Sequence, residues 1–150
     1  MSRIRLIMHP SDFSPASRPA FQRAVADAKE HRAELLLVHV MASVMPMVGD
    51  GYISPKAYDD MVNASRSYAQ RQLDALVARA KKAGAKARGL LLEGVAWDQV
   101  VRTARARKAD LIVMGTQGRT GLAKLFLGSV AGRVVASAPC PVLTVRAGKR

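Results

Sequence analysis

The segment from residue 115 to residue 129 has the residue types that bind phosphate. It reads GTQGRTGLAKLFLGS, with two residues between Gly115 and Gly118 and nine between Gly118 and Gly128. Glycines allow positive φ and lack the Cβ atom that would hold a phosphate away from backbone N–H groups. Arg119 adds a permanent planar cation. Gly128 and Ser129 would open a helix whose free N–H groups and positive dipole end favour an anion, so the segment predicts a phosphate site.

A second polar group, His9-Pro10-Ser11-Asp12, stops the first apolar stretch of the chain. Both polar groups follow apolar segments that are predicted to be strands. In an open parallel sheet, ligands bind beyond the carboxyl ends of the strands, where the strand order reverses direction. We therefore expect these two groups to lie at the same edge of the sheet.

Strand and helix patterns alternate through the whole chain. Apolar stretches typical of strands occupy residues 3–8, 35–40, 86–92, 111–114 and 142–145. Helical spacing marks residues 17–32, a long helix from Ser54 and Pro55 to a stop at Gly84, residues 97–108 and residues 130–137. Ser14 and Ser17 are possible N-caps of the first helix, and Ser17 is favoured because Pro19 fits only the first turn. Tyr58 and Tyr68 of the long helix are expected in the core. The alternation predicts a parallel sheet with helices on both faces.

Length and composition predict one soluble domain over residues 1–150. The chain has 150 residues, of which 49% are apolar, and this excludes collagen-like, coiled-coil and disordered proteins. No stretch approaches the ~20 apolar residues that span a bilayer, and the N-terminus does not match a secretory signal, so we expect a cytoplasmic protein without membrane contact. The net charge is +13, with 17 basic and 4 acidic residues after residue 65, which favours anionic partners.

The sequence resembles the universal stress protein family in its nucleotide-binding branch. The glycine spacing that ends in Gly128 and Ser129 is reproduced in full, and HPSDFS, LLLVHV, ADLIVMGTQGRTG and APCPVLTV extend the match along nearly the whole chain. Gln117 departs mildly, because Arg or His is common there, and His9 stands where an aliphatic or aromatic residue is usual. Neither change removes a glycine or the terminal Ser.

The resemblance implies a binding site for an adenine nucleotide, ATP, with or without Mg²⁺. It implies that Asp12, beside Pro10 and Ser11, accepts a hydrogen bond from the adenine or ribose, and that the backbone of Val40 meets the base. Gly115, beside Met114, would contact the ribose. The phosphates would be held by Gly118, Arg119, Gly128, Ser129 and Val130.

The resemblance also implies a fold and an assembly. The expected fold is a three-layer sandwich of the adenine nucleotide alpha hydrolase-like type, with a five-stranded parallel sheet in the order 3-2-1-4-5. Relatives commonly dimerise through the last strand, here Val142, Leu143, Thr144 and Val145. The implied function is that of an ATP-binding stress-response or regulatory protein.

Two other functions stay open. The pocket could hydrolyse ATP slowly or support autophosphorylation, but Asp12 is the carboxylate expected nearby, and phosphoryl transfer usually needs dedicated carboxylates for a metal. We therefore expect no dedicated catalytic activity. The chain could instead be a scaffold that binds nucleic acid through its basic second half. Its few aromatic residues are not interleaved with the basic ones, so we do not expect a nucleic-acid partner.

Purely structural roles for the same residues also stay open. The glycines could serve only the turns of a surface loop. Their spacing matches neither a P-loop nor the GxGxxG pattern of dinucleotide-binding turns. Asp12 could merely brace the turn after the first strand. His9 and His39 find no third ligand at a suitable spacing, so no metal site is expected. Cys140, between two prolines, is expected to be a small buried apolar residue.

Overall fold

The computed structural model describes residues 3–43, 53–116 and 128–148. Its five strands are β1 (Leu6–Pro10), β2 (Glu34–Met41), β3 (Lys86–Glu93), β4 (Leu111–Gly115) and β5 (Val142–Val145). All neighbouring strands are parallel, and their order is β3-β2-β1-β4-β5. The predicted sheet and its order are confirmed, and β1 and β4 are neighbours at its centre.

Within the described residues four helices join the strands: α1 (Arg18–His31), α2 (Pro55–Lys82), α3 (Ala96–Arg107) and α4 (Ser129–Ser137). The start of α2 agrees with the prediction, because the Ser54 hydroxyl accepts the N–H of Ala57 at 3.1 Å. The start of α1 also agrees, because Ser17 stands at its N-cap position. Ser17 ends a short 3-10 turn, and its hydroxyl donates to the Ser14 carbonyl at 2.8 Å, so the side chain itself makes no capping hydrogen bond to α1.

The helices cover both faces of the sheet, which confirms the three-layer sandwich. One layer of core packs α1 and α2 against the sheet through buried residues such as Phe21 and Leu73. The other packs α3 and α4 against the opposite face, with Val100 and Val134 among its buried residues. Residues 35–38 of β2 are buried on both faces, which explains why that strand reads as an unbroken apolar run.

The first strand lies further along the chain than predicted. The sequence places it at residues 3–8, whereas β1 spans Leu6–Pro10 and pairs Pro10 with Val38. Proline is tolerated because its nitrogen faces β4, and the pairing of β1 with β4 covers only Ile7 and Met8, so no ladder hydrogen bond is lost. The ladder to β2 continues through the N–H of Ser11, which donates to the Val38 carbonyl at 2.8 Å. The polar group that seemed to stop the strand therefore begins inside it.

The first half of α2 does not join the core, contrary to the prediction for its tyrosines. Tyr68 is 57% exposed and Tyr58 is half-buried, whereas the buried residues of α2 begin at Ala69. At 1.5 Å per residue a helix of 28 residues is about 42 Å long, while a strand of eight residues covers about 26 Å. The helix is therefore longer than the sheet against which its second half packs.

Candidate functional site

The turn after β1 is held by hydrogen bonds that its own side chains accept. The Ser11 hydroxyl accepts the N–H of Phe13 at 3.0 Å, and Asp12 Oδ1 accepts the N–H of Ser14 at 2.9 Å. Phe13 has a φ of 64°, a left-handed conformation that costs a bulky side chain about 1–2 kcal/mol. Such strain persists only where the surrounding structure holds the residue in place, and strained residues of this kind are common at functional sites.

His39, at the carboxyl end of β2, holds this turn from the neighbouring strand. Its Nδ1 lies 2.8 Å from the Ser11 carbonyl, which can only accept, so Nδ1 carries the proton. Its ring stacks on that of Phe13, with 4.2 Å between ring centroids and 28° between planes. The backbone conformation that presents Asp12 is thus fixed by two contacts from β2.

His9 lies behind the site as part of the core. It is completely buried, its Nδ1 donates to the Val113 carbonyl at 2.8 Å, and Phe21 packs beside it. Burial lowers its pKa to about 4, an effect that outweighs the opposing influences of the Val113 carbonyl and of Asp12. The imidazole is therefore neutral at pH 7, and His9 supports β1 from the core.

The chain passes the end of β4 twice. The N–H of Thr116 donates to the Val145 carbonyl at 3.1 Å, and the N–H of Gly128 donates to the Thr116 carbonyl at 2.6 Å. Residue 128 is thereby placed beside the end of β4, and α4 begins at the next residue, with Gly132 making its first intrahelical hydrogen bond to Gly128. The N–H groups of residues 129–131 have no acceptor within the helix, which makes this end of α4 suited to an anion.

A cavity of about 130 Å³ lies at this edge of the sheet. Its walls come from the ends of β1, β2 and β4 and from the first turns of α3 and α4. The lining residues are Pro10, Ser11, Asp12, Ser17, Val38, His39, Val40, Ala96, Val100, Met114, Gly115, Thr116, Val130 and Ala131. The walls are mostly apolar, and they include Asp12 from the turn after β1 and Val130 and Ala131 from the positive end of α4.

The structure brings most of the predicted site residues together. Seven of them line the cavity: Pro10, Ser11, Asp12, Val40, Met114, Gly115 and Val130. Gly128 and Ser129 start α4 beside it. Gly118 and Arg119 lie outside the described residues.

Two glycines contribute differently from the sequence expectation. Gly115 is the last residue of β4 and thus extended, so a positive φ is not what the chain needs there. Gly128 uses its N–H for the Thr116 carbonyl, which leaves the following N–H groups, from Ser129 onward, for an anion. The glycines at 115 and 128 thus lie where the chain comes back into hydrogen-bonding contact with the end of β4.

Sequence reasoning missed half of the lining residues. His39 was considered only as a metal ligand, yet it braces the turn and lines the cavity. The walls from α3 had an available signal, because Val100 lies on the apolar face of that helix. By contrast, the position at which the first turn of α3 contacts the sheet depends on tertiary packing, which a local sequence pattern does not predict.

A more spacious concavity exists elsewhere, but its chemistry differs. A shallow groove of about 570 Å³ lies at the opposite edge of the sheet, between the end of α2 and the starts of β2 and β3. It is open and its walls include charged residues, whereas a small-molecule site is concave and mostly apolar. The smaller cavity also lies where ligands of parallel sheets bind, so it is the better candidate.

The described residues offer neither a metal cluster nor a membrane span. Within ranges 3–43, 53–116 and 128–148, no three His, Cys, Asp or Glu residues come close enough to hold a metal ion. No helix in those ranges is both long and apolar enough to cross a bilayer. Cys140 is half-buried against the α3–α4 core layer, as expected of a small apolar residue, and burial raises the pKa of its thiol.

Comparison with known proteins agrees with this geometry. A universal stress protein of Methanocaldococcus jannaschii is 38% identical over 144 residues, which cover 96% of this chain and 83% of the relative. The structure of universal stress protein UspA from Lactobacillus plantarum has the same fold, with a TM-score of 0.80 and 24% identity over 97% of this chain and all of the other. A universal stress protein solved in complex with cAMP is 27% identical, with a TM-score of 0.68 over 98% of this chain and all of that one.

The family model gives the same answer over almost the full length. The model of the universal stress protein family matches residues 3–146, from the segment before β1 to the residue after β5. This range contains the two polar segments, the whole sheet and the cavity between them. On the fold, the identity to relatives and this match, the chain belongs to the universal stress protein family.

Proposed function

We propose that this protein binds an adenine nucleotide, ATP, in the cavity at the carboxyl ends of β1, β2 and β4 and acts as a regulatory protein. The observation that carries the proposal is the cavity itself, in which an apolar slot lies between the Asp12 turn and the positive end of α4. Such a slot suits a flat heterocycle, and the helix end suits the phosphates of the same molecule. The cAMP complex of a universal stress protein supports an adenine ligand.

The base end of the ligand would lie among the strand ends. Val40 would meet the adenine through its backbone, and apolar side chains such as Val100 and Met114 would flank it. The Asp12 carboxylate accepts the Ser14 N–H, and a ribose hydroxyl would donate to the same carboxylate. The braced turn is already in place, so little conformational entropy would be lost when the sugar binds.

The phosphate end would lie at α4. The N–H groups of Ser129 and Val130 belong to the first turn of that helix and would bind the phosphate oxygens. Gly118 and Arg119 would complete the cradle, as in the nucleotide-binding branch of the family. If Mg²⁺ accompanies ATP, the phosphates themselves would supply most of its ligands.

The lining residues favour binding over catalysis. Among the described residues of the cavity wall, Asp12 supplies the carboxylate, and its Oδ1 already accepts the Ser14 N–H. Phosphoryl transfer needs an oriented nucleophile and a metal held near the phosphates. We therefore propose no dedicated catalytic activity, and at most slow ATP hydrolysis or autophosphorylation.

The proposed regulatory unit is a dimer formed through β5, and its proposed setting is a stress response in the cytoplasm. β5 pairs with β4 on one side and is the edge of the sheet on the other. An edge strand with apolar side chains is a ready template for pairing with another chain. Sedimentation of the purified protein at micromolar concentration tests this part, since a monomer there contradicts it.

Calorimetric titration with ATP, AMP and adenosine tests the binding proposal. The decisive variants are Ser129→Glu and its neutral control Ser129→Gln. Glu suits the first turn of a helix, so the fold is kept, but its charge would compete with the phosphates. We expect ATP affinity to fall at least about tenfold for Glu relative to Gln, with adenosine affinity nearly unchanged.

The outcomes separate the two ends of the proposed ligand. Absence of binding by the unmodified protein at millimolar ATP would overturn the proposal. Equal ATP affinity of the Glu and Gln variants would mean that the phosphates do not lie at α4. Nucleotide that co-purifies with the protein, identified by mass spectrometry, would support the proposal without any titration.

A further inference from the structure

The charge of this protein is concentrated at the edge of the sheet opposite the nucleotide cavity. There α1, α2 and α3 end and β1, β2, β3 and β4 begin. We define the basic end as the residues before β1, the last turns of α1, α2 and α3, the connections that follow them, and the first three residues of β2, β3 and β4. Its basic residues are Arg3, Arg5, Lys29, Arg32, Arg79, Lys81, Lys82, Lys86, Arg88, Arg105, Arg107 and Lys108.

These twelve basic residues are all exposed, and only three acidic residues lie among them, Glu30, Glu34 and Asp110. The basic end thus has an excess of nine positive charges, although one of them, on Arg79, lies 5.1 Å from the ring of Phe21 in the first turn of α1. The described residues as a whole contain twenty basic and ten acidic residues, an excess of ten. Nearly all of the net charge of the described chain is therefore on one end, to which both halves of the sequence contribute.

The segments of the basic end form one continuous surface. The Asp110 carboxylate accepts the N–H groups of Arg5 and Leu6 at 2.8 and 3.0 Å, and the N–H of Glu34 donates to the Arg5 carbonyl at 2.9 Å. Glu34 is paired with Lys86 in the sheet register. These contacts join the starts of β1, β2, β3 and β4 side by side.

The same end has a concave centre. The shallow groove described above is lined by Glu34, Lys81, Ala85, Lys86, Ala87 and Arg88. Glu34 forms an ion pair with Arg88, and Lys29 extends from α1 across the turn at Gly84. Lys81 and Lys86 therefore line a groove in which one carboxylate is already neutralised.

Helix dipoles account for only part of this excess. Basic residues often lie in the last turn of a helix, where the dipole is equivalent to roughly half a negative charge. Four helices, α4 included, end at this edge of the sheet, so their dipoles together balance roughly two positive charges. An excess of about seven charges is left for a partner or for solvent.

Contrary to the expectation from the sequence, we propose that the basic end binds the phosphate backbone of double-stranded nucleic acid, independently of its base sequence. The scarcity of aromatic residues argues only against the stacking of single-stranded bases. A duplex carries one negative charge per ~1.7 Å of axis, the density that a broad cationic surface requires. Four parallel strands cover about 15 Å, and over that length the strand of the duplex that faces them, with one phosphate per ~3.4 Å, presents roughly four to five phosphates. The connections that form this end contain no aromatic residue on which single-stranded bases could stack.

Other polyanions fit the described surface less well. Membrane surfaces are usually bound by basic residues next to apolar side chains that insert. The exposed large apolar residues of the described chain, Ile53, Met61, Tyr68, Val95, Val130 and Val135, all lie outside the basic end. Acidic polypeptides carry a lower and more flexible charge density. The basic end is also opposite the nucleotide cavity, so it is a second surface and does not depend on the proposed nucleotide function.

Fluorescence anisotropy with a labelled 20-base-pair duplex tests the proposal. We expect binding at 50 mM salt that weakens roughly several-hundred-fold by 200 mM, as release of about five counterions predicts. Duplexes of unrelated sequence should bind equally. Absence of duplex binding at 50 mM salt, or tighter binding to phosphatidylserine vesicles or to polyglutamate than to the duplex, would overturn it.

Matched variants locate the surface. Lys81→Gln with Lys86→Gln removes two charges from the groove, one on α2 and one on β3, and Lys56→Gln with Arg71→Gln removes two exposed charges from the part of α2 outside the basic end. The first pair should lower duplex affinity about tenfold at 100 mM salt and reduce the salt slope by about two, while the second leaves both nearly unchanged. Equal losses in the two pairs would show that binding follows net charge and not this surface.

Discussion

The imidazole of His39 donates a hydrogen bond from Nδ1 to the carbonyl of Ser11, 2.8 Å away, and so joins the end of β2 to the turn after β1. The same ring stacks on Phe13, whose φ of 64° is the strained point of the turn. Asp12 lies between the two residues that His39 contacts. Asp12, which we propose accepts a hydrogen bond from the ribose, therefore lies in a turn that a residue of the neighbouring strand holds in place.

Replacing His39 with Ala should weaken nucleotide binding more than it weakens the fold. The variant loses one partly buried hydrogen bond and one ring contact, about 1–2 kcal/mol of folding free energy. The Asp12 turn would then sample other conformations, and ATP affinity should fall about fivefold to tenfold. Calorimetric titration and urea unfolding measure the two effects.

Two variants control for this. His39→Asn keeps an N–H donor near the position of Nδ1 and should recover part of the affinity. His31→Ala removes an exposed histidine at the end of α1 and should change neither quantity. ATP affinity of His39→Ala equal to that of the unmodified protein would show that the turn keeps its conformation without His39.

The strands and helices were predictable because their patterns are local. Residues 142–145 are predicted as a strand and are β5, and Ser54 is predicted as a cap and accepts the Ala57 N–H. Tyr68 was misplaced because helical periodicity identifies a face but not the length over which a sheet covers it. The first strand was placed too early because Pro10 is read as a stop, although only its N–H, and not its strand conformation, is missing.

The site was predictable at the strand ends and less so between them. Asp12 and Gly115 belong to segments whose composition departs from the surrounding apolar pattern, and both line the cavity. Val100 and Ala131 line it because of how α3 and α4 pack, which depends on contacts between distant parts of the chain. The brace by His39 could not be seen, because the sequence separation from Ser11 is 28 residues.

The stability of the protein should fall as the pH is lowered, because His9 is protonated more easily in the unfolded chain than in the folded one. Its pKa is lowered to about 4 in the folded state, so between about pH 6.5 and pH 4 the unfolded chain binds a proton that the folded chain does not. The free energy of unfolding should therefore decrease as pH falls through this window, by roughly 3 kcal/mol in total. Urea unfolding at pH 7, 5.5 and 4.5 measures the decrease.

The variant His9→Leu isolates this contribution from that of the carboxylates. Leu cannot titrate and fills a similar volume, although it leaves the Val113 carbonyl without its donor. The variant should lose less stability between pH 7 and pH 4.5 than the unmodified protein. The exposed control His31→Leu should keep the full decrease. The same pH dependence in His9→Leu and in the unmodified protein would rule out His9 as its source.

The close packing of α2 on β3 makes Gly89 sensitive to a single methyl group. A Cβ atom there would lie 2.9 Å from Leu73 Cγ and 3.0 Å from Val77 Cγ2. Leu73 is completely buried, so Gly89→Ala should destabilise the protein by about 1–3 kcal/mol. The control Gly132→Ala, in α4, has nothing within 4 Å of the new atom and should stabilise by about 0.5–1 kcal/mol. A loss of stability in both variants, measured by urea unfolding, would contradict the packing argument.

Replacing Lys108, the residue that ends α3, with glycine should increase the stability of the protein. Lys108 has a φ of 56°, a left-handed conformation that costs a residue with a Cβ about 1–2 kcal/mol and glycine almost nothing. Part of this gain is offset by the larger entropy of glycine in the unfolded chain, so Lys108→Gly should raise stability by about 0.5–1 kcal/mol, or a few degrees in Tm. Ala83 ends α2 with a φ of −77°, where glycine gains nothing, so Ala83→Gly should lower Tm. Thermal unfolding of the two variants should therefore shift in opposite directions, and a shift in the same direction would mean that backbone strain at residue 108 is relieved by its surroundings.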